Sequence, residues 1–396
     1  MFDLAAVQTA LREDGLDGWL LYDFRGLNVL ARRVLDIPAD AHLTRRWFYF
    51  IPAQGAPRKL VHRIESGALD AYPGGKAVYL RWQELESGVG RLVAGARRVA
   101  MEYVPRNANP YVSRVDAGTV ELVRSFGVEI VPSGDLIQRF EACWDDDQWQ
   151  MHLEAARHTR SAYDVAWKFI ADRVRAGNPA RETEVQAVIM DHFARHGLVT
   201  DGPPIVGVGP HAGDPHYAPG GDHDSVCAKG TFVLIDLWAK LDHPRAVYSD
   251  LTWTGFVGET VPETYTRIFQ IVARARDAAI ERVRHAFARK EPLQGWQVDQ
   301  AARAVIDEAG YGEAFCHRTG HSIGRETHGN GANMDNLETH ETRRVMPRTC
   351  FSVEPGIYLP EFGVRSEVDV FVDAGGGVHV TGGALQTAVV AVLKQY

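Results

Sequence analysis

The sequence predicts an α+β protein with two domains, on three observations. The chain has 396 residues, more than one hydrophobic core usually organises. Short apolar strand patterns alternate with helical patterns up to about residue 145, and long helical patterns with antiparallel hairpins follow. We therefore expect a small α/β domain over residues 1–145 and a larger α+β domain over residues 146–396.

The first domain contains strand patterns that are apolar and bounded by Gly, Pro or charged residues. They lie at Gly18–Tyr22, Arg46–Pro52, Val99–Val104 and Val128–Val131. Leu4, Val7 and Leu11 fit one face of an N-terminal amphipathic helix. The acidic residues after Trp144 can cap a helix, which predicts that a long helix begins there.

The second domain begins with helical patterns. One helix ends before Gly197, a second runs from about Pro262 to His285, and a shorter one ends at Gly310. The buried stripe of the first consists of Val185, Val188, Ile189 and Phe193.

Composition excludes several classes of protein. Apolar residues make up 45% and charged residues 24%, as in soluble globular proteins, and the net charge of −8 provides no basic surface for nucleic acid. No apolar run could span a bilayer, and the N-terminus has no apolar signal core. Four cysteines without CxxC spacing predict reduced thiols in a cytoplasmic protein, with Cys316 and Cys350 as small buried residues.

The segment "IDLWAKLDHPRAVYSDL" predicts a hairpin with an unusual pair of acids. If its turn centres on His243, Asp236 and Asp250 face each other, with Cβ atoms about 4.5–5.5 Å apart. Like charges in such a position destabilise a sheet, and Asp is a poor strand former. Folding alone would not select this arrangement.

A second hairpin repeats the pattern. Glu354 and Glu367 straddle the turn "LPEFG", whose centre lies between Pro360 and Glu361. Four half-buried carboxylates require positive charge among them, from Arg365 or from divalent cations. Two carboxylate pairs with a histidine suit two cations about 3.5–4 Å apart, and mixed oxygen and nitrogen ligands suit manganese, cobalt, iron or zinc.

The histidine could come from "HRTGHSIGRETH", which places three imidazoles beside glycines between His317 and His328. Together, these motifs resemble the pita-bread metallopeptidases, the family of methionine aminopeptidase, Xaa-Pro aminopeptidase, prolidase and creatinase. The resemblance covers about residues 150–396 and lies in "IDLWAK", "YSDLTWT", "HRTGHSIG" and "VEPGIYLPEFGVRSE". The N-terminal domain is similar to the one carried by prolidase, aminopeptidase P and creatinase.

The resemblance implies a role for each site residue. The implied metal ligands are Asp236, Asp250, His321, Glu354 and Glu367. The implied catalytic residues are Glu354, His328 and His216, and the implied substrate-binding residues are His216, His317, His328 and Arg365. Arg343 and Arg344 are further candidates for binding a substrate carboxylate, and His211 is expected to be structural.

Three positions depart from the family pattern: Trp238, Trp253 and Gly329. None is an implied ligand, so we expect the metal site to persist within more aromatic pocket walls. The resemblance implies hydrolysis of Xaa-Pro dipeptides with two divalent ions, most simply Mn²⁺, with Co²⁺ or Zn²⁺ as alternatives. The other readings are an Xaa-Pro aminopeptidase, a creatinase-like hydrolase and a non-catalytic binding protein. We expect a small peptide substrate, no nucleic-acid or membrane partner, and a homodimer.

Overall fold

The computed structural model describes residues 2–38 and 40–396. The chain forms two compact units, Met1–Glu141 and Ala142–Tyr396. A long helix starts at Asp146, after a capping box in which the Asp145 carboxylate accepts a hydrogen bond from the backbone N–H of Gln148 at 2.9 Å. This helix begins where the sequence places the start of the second domain.

The first unit is built on a six-stranded mixed sheet in the order β4-β3-β2-β1-β5-β6. Its strands are β1 (Gly18–Asp23), β2 (Trp47–Pro52), β3 (Arg58–His62), β4 (Gly75–Tyr79), β5 (Arg98–Met101) and β6 (Glu129–Pro132). Its helices are α1 (Leu4–Glu13), α2 (Val29–Val34), α3 (Trp82–Val93), α4 (Ala117–Arg124) and α5 (Gly134–Ile137). Strands β3 and β4 are absent from the sequence prediction; β4 is mostly exposed, and β3 begins and ends with charged or polar residues.

The helices of the second unit follow the predicted stripes. They are α6 (Asp146–Arg175), α7 (Glu182–Arg195), α8 (Glu263–Arg289), α9 (Gly295–Glu308) and α10 (Val392–Gln395). Val185, Ile189 and Phe193 are buried on α7 as expected.

The strands of the second unit are β7 (Leu198–Val199), β8 (Ile205–Val208), β9 (Phe232–Leu241), β10 (Ser249–Phe256), β11 (Ser322–Ile323), β12 (Cys350–Val353), β13 (Gly356–Tyr358), β14 (Gly363–Arg365), β15 (Val368–Val372), β16 (Val378–Val380) and β17 (Val390–Ala391). They pair antiparallel, apart from the parallel pair β10–β17. Strands β9 and β10 separate two cores. Ile235 and Leu251 pack in the core with α6 and α7, and Phe232 and Leu234 pack in the core with α8 and α9.

Two further expectations can be compared with the structure. In residues 2–38 and 40–396, no helix combines the length and the apolarity needed to cross a bilayer. Cys350 is buried as expected, but Cys316 is exposed. The prediction that Cys316 is buried is therefore wrong, because Cys316 lies in a segment outside the helices and strands, where its side chain is exposed.

Candidate active site

The two aspartates lie on one face of the β9–β10 hairpin. The prediction that they face each other directly is wrong, since Asp236 pairs with Thr252 and Asp250 pairs with Trp238. The hairpin is symmetric about Pro244 rather than His243, which displaces the register by two residues. Because side chains alternate with a period of two, this displacement leaves both carboxylates on the same face as diagonal neighbours.

The two glutamates keep the predicted register. The β12–β15 ladder pairs Val353 with Val368, and the β13–β14 ladder pairs Gly356 with Arg365, so Glu354 and Glu367 lie level between the two ladders. Both residues leave the pairing at that point. The backbone N–H of Glu354 donates to the Thr319 carbonyl at 2.7 Å, and that of Glu367 donates to the Thr252 carbonyl at 3.3 Å.

The break between the ladders joins the two hairpins. Thr252 pairs with Asp236 on one side and forms an isolated bridge with Glu367 on the other. Its hydroxyl also donates to Oε2 of Glu367 at 2.7 Å. As a result, the acids of both hairpins meet on one surface.

His321, the residue that precedes β11, completes the group. Its Nε2 lies 3.6 Å from Oδ2 of Asp250 and 3.5 Å from Oε1 of Glu354. Its Nδ1 lies 3.3 Å from the Ser322 carbonyl, which can only accept, so Nδ1 carries the proton and Nε2 holds the lone pair. The preceding Gly320 is required, because a Cβ there would lie 1.9 Å from the carbonyl oxygen of Ser352.

The carboxylates strongly perturb one another. Burial, reinforced by neighbouring carboxylates, raises the pKa of Asp250 and of Glu367 well above the usual range. Burial raises the pKa of Glu354 to about 7, although Arg365 opposes this shift. So much buried negative charge is costly to folding unless a cation compensates it.

The same surface fits divalent cations. Asp250, His321 and Glu367 each offer a ligand atom, and these atoms lie within 4.8 Å of one another. Oδ1 of Asp236 is buried and has no hydrogen-bond partner anywhere in residues 2–38 and 40–396. An unpartnered carboxylate oxygen beside three potential ligands is a site that a metal ion would satisfy.

Arg365 is engaged with the protein itself. Its Nη2 donates to Oδ2 of Asp236, its Nε to the Thr252 hydroxyl at 3.0 Å, and its Nη1 to the Tyr358 hydroxyl at 3.0 Å. The guanidinium therefore orients Asp236 and partly neutralises the acids.

His317 lies behind Tyr358 and is neutral. The Tyr358 hydroxyl lies 2.7 Å from Nε2 of His317 and accepts from Arg365, so its proton is directed to that nitrogen. Nδ1 of His317 then donates to the Arg318 carbonyl at 2.7 Å. Burial lowers the pKa of His317 to about 3. These hydrogen bonds do not fit a protonated His317 that forms an ion pair with a substrate carboxylate. Contact between the neutral His317 and the substrate stays a prediction.

His328 and His216 are exposed at the same site. The His328 ring stands edge-on to His321, with centroids 4.3 Å apart. His216 follows Asp214, whose carboxylate accepts from the His216 backbone N–H at 3.0 Å. Burial raises the pKa of Asp236, and Arg365 and, to a smaller extent, His216 oppose this rise.

The loop that carries His216 is held by a residue that sequence analysis missed. The Glu182 carboxylate is fully buried and accepts from Nδ1 of His211 at 2.8 Å and from the Tyr217 hydroxyl at 2.7 Å. It also accepts from the backbone N–H groups of Val208 and Ser225 at 2.7 Å each. His211 thus has the structural role expected. The role of Glu182 gave no signal in the sequence, because a carboxylate at the first position of a helix is common.

Two other residues missed from sequence hold the histidine segment. Asp299 of α9 accepts from the Thr319 backbone N–H at 2.8 Å, and Arg303 donates to the His317 carbonyl at 2.9 Å. Arg318 is buried within this segment, and burial lowers the pKa of His321 and His328, with the charge of Arg318 acting in the same direction. Only the fold brings α9 against this loop.

The two tryptophans lie on opposite faces of the hairpin. Trp238 shares the carboxylate face, and its Nε1–H donates to Asp201 at 2.6 Å. Trp253 packs on the other face, with the Arg160 guanidinium 4.0 Å from its ring centroid. Trp238 can therefore line the pocket, and the expectation that Trp253 does so is wrong because strand alternation points it away.

Comparison with known proteins agrees with this geometry. Residues 150–374 match the model of metallopeptidase family M24. The probable dipeptidase PepE of Mycobacterium tuberculosis is 28% identical over 83% of this chain and 82% of its own length.

Two solved structures share the fold. Dipeptidase PepE from Mycobacterium ulcerans has a TM-score of 0.67 at 24% identity and covers 98% of this chain and 96% of its own. An Xaa-Pro dipeptidase from Bacillus anthracis has a TM-score of 0.58 at 22% identity and covers 98% of each chain. The carboxylates and the histidine on the hairpin face agree with the family match. The chain belongs to metallopeptidase family M24, the pita-bread hydrolases that use divalent metal ions.

Proposed function

We propose that this protein is a dinuclear metallopeptidase that hydrolyses Xaa-Pro dipeptides and releases proline. The observation that carries the proposal is the convergence of three buried carboxylates, the partly buried carboxylate of Glu354 and the Nε2 lone pair of His321 on one surface. The names of its relatives support a dipeptidase, and one structural relative is an Xaa-Pro dipeptidase.

The residues that would hold two metal ions are Asp236, Asp250, His321, Glu354 and Glu367. Bound there, the ions would polarise the peptide carbonyl and lower the pKa of the attacking water. Mn²⁺ suits a site dominated by carboxylates, and Co²⁺ or Zn²⁺ also accepts this mixture of ligands. Elemental analysis of fully loaded protein is expected to give two equivalents per chain, and a value near zero in active enzyme would overturn the proposal.

Glu354 moves the proton in this scheme. It lies at the break between the ladders, where the Ser352 hydroxyl is 3.3 Å from its Oε1. There it can accept the proton of the attacking water and pass it to the leaving nitrogen. His328 donates a hydrogen bond to the oxygen that becomes negative, and His216 contacts the substrate from the opposite loop.

Recognition of the proline carboxylate needs a buried cation near the carboxylates and histidines of the site. Arg365 is bound to Asp236, His317 is neutral, and Arg343 forms a bidentate pair with Glu341. Arg318 is our candidate, because its charge acts on Glu354 and on all three histidines of its segment.

The test is a comparison of kcat/KM for Ala-Pro, Ala-Pro-amide and Ala-Pro-Ala. A dipeptidase is expected to prefer Ala-Pro strongly, because a neutral amide cannot form the charge-assisted hydrogen bonds that a carboxylate forms with a cation. Arg318→Gln should lower kcat/KM for Ala-Pro and leave that for Ala-Pro-amide nearly unchanged. Arg325→Gln, an exposed arginine in the same segment, is the matched control.

The commitment of Arg365 and Arg343 to the protein favours one second candidate, an Xaa-Pro aminopeptidase, which needs no carboxylate partner. Equal or faster cleavage of Ala-Pro-Ala would select it, with the same metal chemistry. A creatinase-like or non-catalytic role is less consistent with the retention of all five ligand positions.

A further inference from the structure

A second group of histidines lies between α6 and α7, away from the carboxylates. It consists of His158 on α6, His192 near the end of α7 and His196 at its C-cap. Each offers a ring nitrogen, and these nitrogens lie within 4.8 Å of one another. The ring of His196 stacks on His158 with centroids 4.2 Å apart and lies 4.4 Å from that of His192.

The positions of these residues on α6 and α7 bring the three imidazoles close together. His192 and His196 are four residues apart, so they project from one face of the end of α7. His158 faces them from α6, and its side chain is largely buried. Burial lowers the pKa of both His158 and His192, which favours the neutral form of these two imidazoles.

The hydrogen bonds fix the tautomer of His192. Its Nε2 lies 3.2 Å from the His158 carbonyl, which only accepts, and 2.9 Å from the Ser161 hydroxyl, which itself donates to that carbonyl. Nε2 therefore carries the proton, and Nδ1 keeps its lone pair. Donation of the second ring N–H to a backbone carbonyl is the usual support of a metal-bound histidine.

We propose that His158, His192 and His196 form a second metal site, selective for a borderline transition metal such as Zn²⁺, that clamps α6 to α7. Three imidazoles favour Zn²⁺ or Cu²⁺ over Mn²⁺, which prefers oxygen ligands. Ligand nitrogens around tetrahedral Zn²⁺ lie about 3.4 Å apart, a contraction that side-chain rotation can supply. Water would take the fourth position.

One neighbour opposes the site. The Arg157 guanidinium donates to Nε2 of His158 at 3.0 Å, so it uses the lone pair that the metal would need. Arg157 is exposed and can move into solvent when a metal binds. Its removal should therefore tighten binding rather than weaken it, which separates this site from nonspecific surface binding.

The experiment uses the full chain with its catalytic site loaded with Mn²⁺, and equilibrium dialysis against micromolar Zn²⁺. His196→Ala, at an exposed position, and the double variant His192→Ala/His196→Ala should bind one equivalent of Zn²⁺ less than the wild type. His285→Ala removes an exposed histidine from α8 and is the matched control. Any Zn²⁺ that exchanges into the catalytic centre contributes equally to all of these proteins.

Melting temperature provides the second readout. Zn²⁺ should raise the melting temperature of wild type and of His285→Ala by more than it raises that of His196→Ala, because a ligand that binds the folded state stabilises it. Arg157→Gln should lower the Kd for Zn²⁺ at this site. Equal Zn²⁺ stoichiometry in wild type and His196→Ala would overturn the proposal, and an unchanged or higher Kd in Arg157→Gln would contradict ligation by His158.

Discussion

The two acidic hairpins carry equivalent pairs of carboxylates but present them differently. In β9–β10 the ladder is continuous, and Asp236 and Asp250 are diagonal neighbours within it. In the other hairpin Glu354 and Glu367 are level, but their backbones leave the ladder to reach Thr319 and Thr252. A continuous ladder sets only the direction of the side chains. A break in the ladder also frees backbone groups, which here form hydrogen bonds with the other hairpin.

The turns explain why one register was predicted and the other was not. The "LPEFG" turn is tight, since the Leu359 N–H donates to the Phe362 carbonyl at 2.9 Å, and its centre is evident from sequence. The first hairpin has a longer connection between Leu241 and Ser249, in which the Ala246 N–H donates to His243. A longer connection has no unique centre, so the pattern alone misplaced the pairing.

The largest expected effect distinguishes an acid that moves a proton from one that only binds metal. Glu354→Gln should lower kcat by at least about 10²–10⁴-fold at saturating metal, since acid–base groups contribute about that much. Asp236→Asn should instead act mainly through metal affinity. Metal content must be measured beside the kinetics, and a near-normal kcat in Glu354→Gln with metals retained would remove Glu354 from the mechanism.

A residue outside both hairpins provides the next comparison. His328→Ala should lower kcat by the equivalent of about 2.7–4 kcal/mol, as for loss of one donor to an oxyanion, and leave metal content intact. His243→Ala, at the exposed turn of the first hairpin, is the control. Loss of metal from His328→Ala would make His328 a ligand and contradict its assignment.

The link between the hairpins can be tested at Thr252. Its hydroxyl accepts from Arg365 and donates to Glu367, so Thr252→Val leaves both groups buried without that partner. We expect a loss of about 1–3 kcal/mol in the free energy of unfolding, measured with urea. Thr252→Ser keeps the hydroxyl and should recover most of it, and equal stability of Val and wild type would show that the bridge contributes nothing.

The smallest expected effect is a pH dependence of the metal-free protein. The folded pKa of Glu354 is about 7 and those of Asp250 and Glu367 are also raised, so the folded state binds more protons than the unfolded chain. The stability that these acids contribute is therefore present at acidic pH and is lost as pH rises from about 5 through 7 and beyond. The lowered pKa values of the buried His317 and His321 have the opposite effect below about 6.5. Each kcal/mol lost lowers the melting temperature by roughly 2–4 °C.

The metal-loaded protein is the control for this prediction. Bound cations compensate the same acids, so its melting temperature should depend much less on pH over this range. A metal-free protein that is more stable at pH 8.5 than at pH 7, where the histidines are neutral in both the folded and the unfolded chain, would contradict the raised pKa values.

The sequence by itself determined the fold class, the helical stripes, the tight glutamate hairpin and the family, because each depends on local periodicity or on short motifs. Val185, Ile189 and Phe193 mark their helix whatever surrounds them. The sequence showed that Trp238 and Trp253 depart from the family pattern. It did not show that they lie on opposite faces of the hairpin.

Tertiary structure alone decided the β9–β10 register, the commitment of Arg365 to Asp236 and the neutral state of His317. It also decided that Glu182 holds the loop of His216 and that His158 meets His192 and His196. These features join residues distant in sequence, and hydrogen bonding and burial at such contacts leave no periodic signal in the chain. Local pattern reports which face a residue occupies, whereas packing determines what it meets there.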